Sequence, residues 1–135
     1  MNYLKKLTVT IIITLISING NAQLLGVSYN TVLGGNTIEK RGVTNDGVPY
    51  LVDEINDEFY TEFVYYFDRN RNVKATKVFT EGKGGFFKMK SILLSKEYIY
   101  DKKQHAWVNK DLKIIVTTYS YSETPGTYVF EFKSF

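Results

Sequence analysis

Apolar and polar residues alternate with a period of two over much of this chain, and most regularly in EFYTEFVYYF, residues 58–67. There Phe59, Phe63, Tyr65 and Phe67 fall on one face and Glu62 and Tyr66 on the other, the pattern of a half-buried strand. Residues 73–81, VKATKVFTE, alternate again, with Val73, Ala75 and Phe79 set against Lys74, Thr76 and Thr80. The polar DRNRN between the two runs turns the chain and predicts an antiparallel pair. Upstream, Asn45, Asp46 and Gly47 separate two β-prone runs and supply the residue types that accept positive φ in a tight hairpin. Downstream, HAWVN, LKIIVTTYSY and TYVFEFKSF read as three further strands, the last two joined through Pro125 and Gly126.

The period lengthens in two places. In GVSYNTVLGG, residues 26–35, Ser28 is placed to cap a short helix carrying Val32 and Leu33, which Gly34 or Gly35 ends. After the breaker EGKGG, residues 86–100 set Phe86, Met89, Leu93 and Tyr100 in one stripe at helical spacing, with Ile92 and Ile99 beside them, and predict the main helix. The sum is an α+β domain: a single antiparallel sheet of about six strands with one long and one short helix packed on one face. The order of helix then strands, over residues 26–81 and again over 86–135, admits an αβ unit used twice. Phe63, Phe67, Leu93, Ile114 and Phe130 are expected to share one core.

Lys5 and Lys6, the apolar run Leu7 to Ile18, and the small residues Gly20 and Ala22 have the three-part layout of an export signal, with cleavage expected before Gln23. Twelve apolar residues span only about 18 Å as a helix, against a hydrocarbon core of roughly 30 Å, so no stable membrane insertion is expected after cleavage. Removing residues 1–22 from the 135 leaves 113, enough for one domain spanning residues 23–135, periplasmic or secreted. That segment lacks cysteine, so packing alone must hold it, and it carries ten Tyr, nine Phe and Trp107 for the purpose.

Charge is uneven: residues 23–68 hold eight acidic and two basic residues, and residues 69–135 hold thirteen basic and six acidic. The near balance after cleavage offers no general attraction to nucleic acid. The polarity along the chain can steer a charged partner.

GVSYNTV, residues 26–32, followed by Leu33 and Gly34, then a glycine-rich hairpin and VPYLVDEI, resembles the opening of the BamE-like and β-lactamase-inhibitor-like small secreted domains. There a Gly-x-Ser/Thr helix precedes a Leu-Gly pair and a meander of strands. The resemblance implies a noncatalytic protein that works by contact, within an envelope complex or against a target protein. The NAQ cleavage site and the Tyr, Asn and Lys content resemble those of small exported proteins of the Bacteroidetes.

The catalytic inventory is thin. With no cysteine and His105 as the single imidazole, a Cys-His pair is impossible and a zinc site would have to be completed by carboxylates. Asp53, Glu54, Asp57 and Glu58 crowd one turn; a carboxylate pair could serve glycoside hydrolysis, but charged turn residues are ordinary. DRNRN opens like a calcium loop, yet its sixth position is Val73 and its twelfth Phe79, where glycine and glutamate are needed. EGKGG lacks the spacing of a phosphate loop and reads as a hinge. No cofactor and no metal are expected. The remaining signal is aromatic: Tyr60, Tyr66, Tyr119 and Tyr121 alternate with core positions, and Lys74, Lys77 and Lys113 flank them. Tyrosine is enriched at protein interfaces and also stacks on sugars. The expectation is therefore a noncatalytic protein-binding module, namely an envelope assembly factor, an inhibitor or an immunity-type protein, that uses this face for an acidic protein partner. The alternative is a small glycan-binding or glycan-hydrolysing protein.

Overall fold

A computed structural model describes residues 25–35, 38–55 and 58–135. The expected signal segment and its cleavage point before Gln23 lie outside the described residues, as does Asp57. Helix α1, Tyr29–Gly35, is followed by strands β1, Ile38–Val43; β2, Pro49–Glu54; β3, Tyr60–Phe67; and β4, Val73–Glu81. Helix α2, Gly82–Ser95, is followed by β5, Ile99–Asp101; β6, Ala106–Asn109; β7, Ile114–Ser120; and β8, Thr127–Ser134. All eight strands form one sheet in the order β1-β2-β3-β4-β8-β7-β6-β5, every neighbouring pair antiparallel. Each helix thus leads into a four-strand meander, and the meanders meet at β4 and β8.

The expectation of about six strands and one long helix is corrected here, because the protein is mostly sheet. The error lies at the end of α2. The helix was expected to run through Tyr100, but it stops at Ser95 in a Schellman turn. Glu97 takes a positive φ of 66°, its N–H donates to the Leu94 carbonyl, and the Tyr98 N–H donates to the Leu93 carbonyl. Glycine usually fills that left-handed position, and a glutamate there gives no warning in the sequence. Tyr98 is folded inward against Leu93, and Ile99 and Tyr100 go on as strand β5, with Ile99 74% exposed rather than in the helical stripe.

The start of α2 also differs. EGKGG is not a hinge ahead of the helix but its first turn, because β4 runs directly into Gly82. The glycine at 85 is set by packing: a Cβ there would lie 2.5 Å from the Phe59 carbonyl oxygen and 3.1 Å from Thr80 Cβ. At Gly84 the nearest heavy atom would be a Phe59 ring carbon at 3.8 Å.

Both helices cover one face of the sheet. Val32 of α1 and Met89 and Leu93 of α2 are buried with Leu51, Phe63, Tyr65, Phe67, Val78, Ile114, Val116, Phe130 and Phe132 in one cluster, which includes all five expected core residues. Ser28 Oγ accepts the Thr31 N–H at 3.2 Å at the start of α1, and Gly47, with φ 84°, closes the β1–β2 hairpin. No helix among the described residues is long and apolar enough to cross a membrane.

Two β-bulges decide which side chains reach the core. On β3 the register slips between Tyr60 and Glu62, so Tyr60 turns inward and is 3% exposed, whereas unbroken alternation would place it beside Glu62. Between Val73 and Ala75 a second slip leaves Lys74 as the extra residue. Val73 therefore joins the core, while Ala75 and Phe79 lie on the opposite face and Thr76 and Thr80 face inward with Val78. The expected grouping of Val73 with Ala75 and Phe79 is corrected accordingly.

These contacts predict opposite outcomes for adjacent glycines. Gly84→Ala should stabilise the fold by up to about 1 kcal/mol through helix propensity, whereas Gly85→Ala should destabilise it because backbone of the β2–β3 connection must move. Leu93→Ala should lose roughly 2–5 kcal/mol. Denaturant unfolding of the three variants checks the order.

Candidate functional site

The face turned away from the helices carries a second, smaller apolar cluster. Val52, Val64, Phe79 and Val129 pack there on neighbouring strands, with Tyr50, Tyr66 and Tyr121 against them. No buried residue of either helix belongs to this cluster. Among the described residues only strand and turn side chains cover it, and tyrosine suits the task because an apolar ring lies flat while its hydroxyl stays in water.

Register places the residues in rows across the strands. Tyr50 pairs with Tyr66, their ring centroids 6.3 Å apart, and the Tyr50 ring lies over Gly42 at the sheet edge. Lys77, in the adjacent row, stands between Val64 and Glu131. Its ammonium lies 5.2 Å from the Tyr66 ring centroid. Burial pulls the Lys77 pKa down, but Tyr66, Tyr119 and Glu131 more than offset this and leave it raised. Tyr66 is raised as well, chiefly by burial and against the pull of Lys77. Glu131 also pairs with Lys133 at 3.4 Å. In the third row Glu54 stands directly opposite Glu62, which is followed by Phe79, Val129 and Tyr119. Tyr121 meets Phe79 edge to face at 5.3 Å and donates its hydroxyl hydrogen to Glu123 at 2.8 Å.

Tyr66, Tyr119, Tyr121 and Lys77, singled out in the sequence, are thus brought together on one face. Tyr60 is not, for the bulge turns it into the core. Lys74 and Lys113 are not either: Lys74 is the bulged residue beside Asp68, and Lys113 sits in the β6–β7 turn with φ 56°. Both belong to the end of the sheet opposite Tyr121. The sequence reading missed Tyr50, Phe79 and the Glu54–Glu62 pair; alternation from Tyr50 through Glu54 was the available signal for two of these.

No family model, curated protein or solved structure matches this chain.

The other chemical candidates disperse. Asp53 faces the helix side of the sheet and Glu54 the open side, so the carboxylate cluster does not converge on one substrate position. The Asp68 carboxylate accepts the backbone N–H groups of Asn70 and Asn72 at 2.9 and 3.0 Å, which closes the DRNRN turn. His105 is exposed in the β5–β6 turn with φ 50°. No group of three His, Cys, Asp or Glu among the described residues could hold a metal ion. A groove of about 690 Å³ at the β5 edge is lined by Ile99, Tyr100, Val108 and Asn109, and of its three acidic residues, Glu97, Asp101 and Asp111, Asp101 is taken up by the Lys103 N–H and the Gln104 amide.

Among the described residues, Asp53 is the one carboxylate that the fold buries completely. It is 0% exposed, and neither oxygen has a hydrogen-bond partner. Burial, with a smaller push from Glu39, raises its pKa from 3.8 to about 7. The hydroxyls of Tyr65 and Thr76, opposite each other on β3 and β4, are also buried without partners. A folded-state pKa raised above the unfolded value means that the fold holds this proton more tightly, so its stabilising effect is complete below about pH 4 and is lost as pH rises through about 7. Asp53→Asn should therefore raise the melting temperature by several degrees at pH 8 and by much less at pH 4, as parallel melts at the two pH values would show.

Proposed function

We propose that this chain is an exported, noncatalytic protein-binding module, an envelope assembly factor, inhibitor or immunity-type protein, that engages another protein through the open face of its sheet. The observation that carries the reading is the row structure of that face. Tyr50, Tyr66, Tyr119 and Tyr121 stand around Phe79, Val64 and Val129, with no described element packed over them. Aromatic side chains on rigid strands offer wide contact area at low entropic loss, and the bodies of Tyr66 and Tyr121 are already held by Lys77 and Phe79. The scattered carboxylates and the exposed, unpartnered turn position of His105 give no competing reaction centre among the described residues. The contact-based role implied by the BamE-like and β-lactamase-inhibitor-like resemblance points the same way.

The test is affinity capture from the exporting cell with the parent protein, followed by titration of the captured protein against Tyr66→Ala and Tyr119→Ala. Each variant should keep its melting transition and weaken binding at least about fivefold, the equivalent of 1 kcal/mol for a truncated contact residue. Folded variants that bind as tightly as the parent would remove the open face as the site.

A further inference from the structure

Carboxylates outnumber free cations on the open face, and they are concentrated at one end. Glu54 and Glu62 stand directly opposite each other across β2 and β3, an arrangement that repels. Neither makes an ion pair with any described residue. The Glu62 carboxyl is half-buried; burial first and Glu54 second raise its pKa, with only Lys40 pulling against them. Tyr121, beside them, is raised by its hydrogen bond to Glu123 and feels Glu62 as well. Glu81, at the end of β4, projects from the same face, since its neighbour Thr80 points inward. One cation, Lys40, stands on the same face opposite Val52 and offsets part of the charge of the pair, which leaves the carboxylates in excess. The other cations of the face are spent or distant. Lys77 is ringed by Tyr66, Tyr119 and Glu131, Lys133 pairs with Glu131, and Lys74 and Lys113 belong to the far end of the sheet.

We propose, resting on the reading of the open face as a protein-binding surface, that its partner presents a basic segment whose lysine or arginine side chains reach the Glu54–Glu62 pair across Phe79 and Tyr121. The geometry suits a long cationic side chain. Its methylene stem has the half-exposed rings of Tyr66 and Tyr121, which cover the buried Val52, Val64 and Phe79, to lie on, and two carboxylates stand at the end of the path. A guanidinium or ammonium placed there replaces a repulsion with two attractions. The acidic partner expected from the lysines is thereby reversed, because those lysines do not share the face with free charge.

The experiment is an NMR titration of the isotope-labelled full chain with hexa-arginine and, separately, hexa-glutamate. Since the whole chain carries a formal charge of +3, general attraction favours the glutamate peptide, so a response to arginine has to be local. Hexa-arginine should shift the Glu54 and Glu62 carboxyl and Tyr121 ring signals. Its affinity should fall at least tenfold in Glu54→Gln/Glu62→Gln and stay unchanged in Glu97→Gln. Equal affinity for the double variant, or shifts confined to the glutamate titration, would overturn the proposal. If hexa-arginine fails while Tyr66→Ala and Tyr119→Ala still abolish capture, the basic partner is wrong and the open face stands. If those variants also bind normally, both readings fall.

Discussion

The ladder between β4 and β8 is the contact on which the rest of this fold depends. Each meander is built from hairpins between neighbours in sequence, but β4 and β8 meet only after the chain has passed through α2 and three strands. Thr80 Oγ1 donates to the Tyr128 carbonyl across 48 residues at 3.1 Å. Closing that distance costs chain entropy before any contact is gained. What offsets it is burial at the junction: Val78 and Phe130 face each other at 0% exposure, and Phe86 of α2 sets its ring 5.0 Å from Tyr128 and 5.5 Å from Phe130. Helix α2 thus acts as a clasp over the seam.

The open face inherits this dependence. Tyr50, Tyr66, Lys77 and Phe79 come from the first meander and Tyr119, Tyr121 and Val129 from the second, so the surface exists only when the seam is closed. Its tyrosines are consequently held in place by long-range pairing rather than by a loop. Such a surface is rigid in backbone and adaptable only through side-chain rotation, which favours recognition of a preformed shape.

Much of this was legible in the chain. The alternation of EFYTEFVYYF gave β3 its faces, DRNRN and Asn45-Asp46-Gly47 gave the turns, and the five large apolar residues expected in the core are there. Tyr66, Tyr119 and Tyr121 emerged on one face because a period-two pattern survives wherever the ladder is unbroken. The failures fall where local pattern was overruled. A bulge has no compositional mark here, so plain alternation puts Tyr60, Ala75 and Phe79 on the wrong sides. Glu97 holds a glycine's conformation and hid both the end of α2 and the beginning of β5. Lys74 and Lys113 were near the tyrosines only in the sense of shared charge, and charge along a sequence does not specify an end of a sheet.

Strand order also governs how this protein meets other copies of itself in solution. The segments richest in aromatic and β-branched residues, β3, β4 and β8, lie inside the sheet and are hydrogen-bonded on both sides. The two borders are β1, with Glu39, Lys40 and Arg41 in succession, and β5, only three residues long. A charged border and a short one are poor templates for another strand. A chain this rich in tyrosine and phenylalanine, with no disulfide to restrain it, thereby keeps its amyloid-prone stretches out of reach for as long as the sheet stays whole.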